Sequence, residues 1–118
     1  MGVVVNCSGP EALLRSIYKA IDEGHVRTWI CDKDGDFTHE PEQWRRKAWL
    51  RPVVAFGALK FGLLGPTGVL MTKPIYGVYH GRFIEMLLTH FDADFTNVFA
   101  SACGNEVDRF QTRALQRS

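Results

Sequence analysis

The apolar positions of this chain fall into two helical stripes and about five strand-like runs. Leu13, Leu14, Ile17, Tyr18 and Ile21 recur at helical spacing, with Arg15, Ser16, Lys19, Asp22 and Glu23 on the opposite face, as in an amphipathic surface helix. Ser8 is placed to cap that helix, Pro10 suits its first turn, Glu11 complements its dipole and Gly24 ends it. Residues 26–31 are rich in strand formers and lead through Asp32-Lys33-Asp34-Gly35-Asp36 into Phe37-Thr38-His39, and Asp-Gly between two such runs predicts a tight hairpin. Glu40 to Arg46 reads as a short helical turn opened by Pro41. Residues 49–56 and 59–64 form a second hairpin about Gly57-Ala58, where Leu59, Phe61 and Leu63 alternate with Lys60 and Gly62. Pro52 assigns its strand to an edge or a bulge. Val3-Val4-Val5 is an edge strand or a lead-in, and residues 95–102 read as a final strand.

Thr72, Lys73 and Pro74 open a second long helix that runs to about Phe91. At about 100° per residue its apolar side chains, from Ile75 and Tyr76 through Phe83 and Leu87 to Phe91, sweep more than half the circumference. A helix lying on one sheet needs a stripe only somewhat wider than about 100°. The surplus calls for a second cover, either the first helix and the C-terminal tail or another chain. Within the arc, Gly77 and Gly81 stand beside Ile84 and Leu88. Small residues at this spacing let a second backbone approach, and each glycine costs about 1 kcal/mol of helix propensity relative to alanine. The expectation is a symmetric dimer with Gly77, Gly81, Ile84 and Leu88 at the contact; packing on the first helix is the alternative. The whole is an α+β domain over residues 1–118: a mainly antiparallel sheet of about five strands, two hairpins plus a C-terminal strand, covered by two helices. Residues 104–118 read as a loose arm or weak helix.

Composition narrows the function classes. With 46% hydrophobic and 23% charged residues in 118, the chain is that of a globular domain and not of a disordered one. A formal net charge of +1 gives no general attraction to nucleic acid or an anionic membrane. Cys7, Cys31 and Cys103 show no paired spacing, which points to reduced thiols in a cytoplasmic protein. No apolar run approaches the roughly 20 residues that span a bilayer.

Three segments carry candidate chemistry. Tyr79, Arg82 and Glu85 neighbour one another at a spacing of three on the second helix. With His80 they form the candidate set for an enzyme or ligand-binding site, Arg82 as anion binder and His80 as general base. The plain alternative is a solvated Arg82–Glu85 pair and a core histidine. His80 and His90 both project from the apolar arc, roughly 15 Å apart along the helix, too far to share a metal. Trp44, Arg45, Arg46 and Lys47, continuing to Arg51, interleave tryptophan with positive charge, the arrangement that stacks bases and holds phosphates; Glu40 and Glu42 before it weaken that reading. Asp32, Asp34 and Asp36 match the first three ligand spacings of a calcium loop, but Phe37 and Gln43 stand where it needs Gly and a bidentate Glu. No motif implies a metal or another cofactor.

The stretches Asp34-Gly35-Asp36-Phe37-Thr38-His39 and Tyr79-His80-Gly81-Arg82-Phe83-Ile84-Glu85, within residues 27–95, resemble a pattern in small uncharacterised bacterial proteins of the kind encoded by mobile integron gene cassettes. The resemblance implies a bacterial, cytoplasmic, stand-alone protein open to oligomerisation, and no catalytic residue. The sequence therefore leads to a non-enzymatic interaction protein acting as a homo-oligomer. A small enzyme or ligand-binding domain comes second and a nucleic-acid binder third.

Overall fold

The computed structural model describes residues 2–102 and 112–113. In chain order the elements are β1 (Gly2–Asn6), α1 (Pro10–Asp22), β2 (Trp29–Cys31), β3 (Phe37–His39), β4 (Trp49–Ala55), β5 (Ala58–Pro66) and α2 (Lys73–Phe91). A 3₁₀ turn (Asp92–Asp94), β6 (Asn97–Ala100) and β7 (Thr112–Arg113) complete it. The class is α+β, as the sequence predicts, with seven strands among the described residues in place of about five. Their order is β2-β3-β4-β5-β1-β6, all antiparallel, with β7 added in parallel to the end of β5. Apart from Thr112 and Arg113, the predicted arm or weak helix at 104–118 lies outside the described residues.

The Val3-Val4-Val5 run is neither an edge nor a lead-in: β1 sits between β5 and β6. Val3 and Val5 are buried while Val4 is half-buried on the other face, the alternation of a strand with one covered side. β4 is also interior, which an edge assignment for Pro52 does not anticipate. It pairs with β3 only at Leu50, however, so its other edge is free around Pro52 and the missing N–H interrupts no ladder there.

Local turn chemistry differs from the expectation in three places. α1 is capped by the backbone of Gly9, without a side-chain cap, so Ser8 does not play that part; α2 begins at Thr72, whose hydroxyl accepts the Ile75 N–H at 3.3 Å. Ala55 pairs with Ala58, so the second hairpin turns on Phe56-Gly57, with Gly57 at φ +71° in the second central position, the place a type II turn reserves for glycine. The first hairpin has a five-residue loop between Cys31 and Phe37, closed by the Asp32 carboxylate, which accepts the N–H groups of Asp34 (3.0 Å) and Asp36 (3.1 Å). The 40–46 segment is a turn, with the Trp44 and Arg45 N–H groups donating to the Pro41 carbonyl at 2.8 and 2.9 Å.

Both helices cover the sheet face formed by Val3, Val5, Phe37, Leu50, Leu59, Phe61 and Leu63, all in one buried cluster with Leu13 and Ile17 of α1 and Tyr79, Phe83 and Leu87 of α2. Phe83 is the hub. Its ring centroid lies 4.6 Å from Phe61, 5.0 Å from Trp29 and 5.8 Å from Phe37, distances that suit tilted and edge-on aromatic contacts. Tyr18 stacks on Phe37 at 5.1 Å and brings α1 into the same assembly. Phe83→Ala is expected to lower the unfolding free energy by about 3–5 kcal/mol, as truncation of a buried ring does. Urea denaturation checks this, and a midpoint equal to wild type would contradict the hub assignment.

Candidate functional site

Helix α2 distributes its candidate residues to different surroundings. Tyr79 is fully buried; its hydroxyl donates to the Trp44 carbonyl and lies 3.0 Å from the Thr38 hydroxyl. Thr38 in turn donates to the Ala48 carbonyl at 3.0 Å and accepts the Arg46 N–H at 3.2 Å. The Tyr79 phenol is thus a clamp that holds the 40–48 turn against the helix, and burial pushes its pKa up. Arg82 and Glu85 form an exposed pair at 3.4 Å, with side chains 59% and 64% accessible. Such a pair contributes little in water, about 0.3–0.5 kcal/mol.

His80 does not join them. It faces away from Tyr79, stacks on Tyr76 at 3.9 Å and is bonded through Nδ1 to the Tyr76 carbonyl at 2.7 Å. A carbonyl only accepts, so Nδ1 carries the proton and Nε2 presents a lone pair, buried and without a partner among the described residues. Burial pushes the imidazole below its ordinary 6.5, against the opposing effect of the Tyr76 bond. His90 is exposed, contrary to its expected place in the apolar arc. The histidine that does come to Tyr79 is His39, which the sequence reading did not single out. Its ring lies 4.6 Å from Trp29 and 6.2 Å from Tyr79, its Nδ1 bonds the Thr28 carbonyl at 2.9 Å, and burial lowers its pKa. Only the pairing of Trp29 with His39 across β2 and β3 puts it there, a register that periodicity along the chain does not reveal.

The glycine stripe is on the outside. Gly77 and Gly81 are exposed, and a methyl group at either would meet no described atom within 4 Å beyond its chain neighbours and the adjoining helix backbone. Leu88 is 52% accessible and Ile84 half-buried. Neither glycine is packed on α1.

In the basic segment Arg45 pairs with Glu40 at 3.1 Å, Lys47 is exposed and Trp44 is half-buried. Arg46 takes φ +59°, a left-handed conformation that side chains seldom adopt. Trp49 is buried under a guanidinium, that of Arg113, 4.4 Å from its ring centroid. Arg51 makes two bonds to Asp36, at 3.0 and 2.8 Å.

The acidic loop also receives Arg113, which contacts Asp32 at 2.8 Å, Asp34 at 3.3 Å and Asp36 at 2.5 Å. Beside it a cleft of about 760 Å³ is lined by Tyr18, Ile21, Cys31 and Asp32 among others. Burial, with the neighbouring carboxylates, raises Cys31 to about 11 and Tyr18 to about 12, so both are protonated and unreactive at neutral pH. Among the described residues no group of His, Cys, Asp and Glu is arranged to hold a metal ion, and no helix is long and apolar enough to cross a membrane. No family model, curated protein or solved structure matches the chain.

Because His39 and His80 both have folded pKa values below their ordinary one, the unfolded chain binds protons that the folded chain refuses. Their contribution to stability is therefore complete above about pH 6.5 and is lost as the pH falls below it, at up to about 1.4 kcal/mol per pH unit for each group. Urea midpoints should fall between pH 7 and pH 5, and His80→Leu should flatten part of that slope. An unchanged slope would show that His80 does not titrate in this window. Tyr79→Phe is expected to cost about 0.5–1.5 kcal/mol, since it removes the phenol's bond to a Trp44 carbonyl that keeps the Lys47 N–H at 3.1 Å, and to raise proteolytic cleavage within residues 40–48; an unaltered cleavage rate would contradict the clamp.

Proposed function

We propose that this protein is a non-enzymatic interaction protein that works as a homo-oligomer, with Gly77, Gly81, Ile84 and Leu88 at a two-fold contact between α2 helices. One observation carries the reading: two glycines one turn apart leave an open track on α2 that no described part of the same chain fills, beside a half-exposed leucine. Each glycine weakens the helix by about 1 kcal/mol relative to alanine, and a closely approaching second backbone is the packing that uses such a track. A two-fold axis lets the same stripe serve both partners. Cys7 and Cys31 are free thiols, which supports a cytoplasmic setting.

Sedimentation equilibrium at about 100 μM detects contacts stronger than about 5 kcal/mol, and the wild type is expected to be dimeric there. Gly81→Leu should be monomeric, since a branched side chain fills the track. It should also be folded and more stable as a monomer by about 0.5–1 kcal/mol, because leucine is the better helix former at an exposed site. A wild type that is already monomeric overturns the proposal.

A further inference from the structure

The geometry points to a binding site for an arginine on an extended peptide segment, made by the Asp32–Asp36 loop, Trp49 and the end of β5, which Arg113 of the same chain fills as a tethered and displaceable ligand. The socket recognises a guanidinium on every side. One terminal nitrogen of Arg113 meets Asp32 and Asp36, the other meets Asp34, and the planar group lies 4.4 Å over the Trp49 ring. Only 8% of the side chain is accessible. A guanidinium matches this combination of forked donors and a flat stacking face; an ammonium, a point charge, does not.

The backbone supplies the second half of the recognition. β5 extends past its neighbours: its last partner on β4 is at Leu64 and its last on β1 at Gly62. Gly65 and Pro66 thus form a short free edge, on which Thr112 and Arg113 add as a parallel strand. The Thr67 N–H donates to the Arg113 carbonyl at 2.9 Å, and the Thr67 and Thr112 hydroxyls meet at 3.3 Å. Strand addition for affinity with a side-chain pocket for specificity is a general mode of peptide capture.

The site tolerates an empty state. Asp36 is wholly buried and would be costly to leave unpaired, but Arg51 holds both of its oxygens independently of Arg113. The loop keeps its shape through the Asp32 carboxylate and the bond from the Asp32 N–H to the Asp36 carbonyl at 2.9 Å. Among the described residues Arg113 meets all three carboxylates and Arg51 meets Asp36, so the socket gains one unit of negative charge when Arg113 leaves. A second copy brings a tail already seated in its own socket, so the external occupant is an arginine-bearing segment of a different protein, and Arg113 is its intramolecular competitor. This inference is independent of the α2 contact.

The test titrates the full-length Arg113→Ala chain with acetyl-Gln-Thr-Arg-Ala-amide, following tryptophan fluorescence and melting temperature. The arginine peptide should bind at least tenfold more tightly than its lysine counterpart. Wild type should bind it at least tenfold more weakly, since a tethered ligand competes at a high effective concentration. Adding Asp32→Asn, which keeps the oxygen that closes the loop and removes the one facing the guanidinium, should weaken binding about tenfold. Absence of binding, equal binding of the lysine peptide, or equal binding by wild type would each overturn the proposal. Should Arg113→Ala not fold, Arg113→Lys carries the same titration; if neither variant folds, Arg113 is a fixed member of the structure and the proposal fails.

Discussion

The aromatic junction at Phe83 is the constraint on which the other parts of the molecule depend. β2 and β3 are only three residues each, too short to hold a place in the sheet by hydrogen bonds alone. Trp29 and Phe37 fix them by packing their rings on Phe83. That placement carries the loop between them, and so determines where Asp32, Asp34 and Asp36 stand. It also puts Thr38 and the 40–48 turn within reach of Tyr79. A change at Phe83 is therefore felt in both short strands, whose rings Tyr18, Phe61 and Tyr79 hold from the other sides.

What the chain reveals by its pattern is what depends on local periodicity. α1, α2 and both hairpins were legible because their apolar positions recur at 3.6 or 2 residues and their ends carry Pro, Thr or Gly. The place of β1 was not legible, since Val3-Val4-Val5 looks alike in an edge strand and a central one, and only its two partners decide. The same holds for the site. The exposed pair Arg82–Glu85 and the outward track at Gly77 and Gly81 follow from helix phase. His39, by contrast, reaches Tyr79 through a cross-strand register, and Arg113 reaches Asp36 from 77 residues away. A string of alternating aspartates has the spacing of a cation loop, and the cation it holds is an arginine supplied from a distant part of the chain.

The surplus apolar arc of α2 resolves into two different things. Tyr76, Tyr79, Phe83, Met86, Leu87 and Phe91 are buried on the sheet side, a wider stripe than a flat sheet requires because the 40–48 turn covers part of it through Tyr79. The remaining part, around Gly81 and Leu88, is what the core does not absorb. A single helix thus serves as both a wall of the core and an outer surface, and its residues at neighbouring positions meet different surroundings.

The position of β1 has a consequence for how the chain acquires its structure. Val3 pairs with Phe61 on one side and with Ala100 on the other, so the sheet is stitched by contacts that are remote in sequence. Such topologies close slowly, because loop entropy is lost before the contacts reward it. During synthesis the β1–α1 unit emerges with Val3, Val5, Leu13 and Ile17 lacking the surfaces that will cover them, and it must wait for β5 and then β6. The nascent chain therefore exposes its first strand and helix longest, and that window is where a chaperone, or aggregation, would act on it.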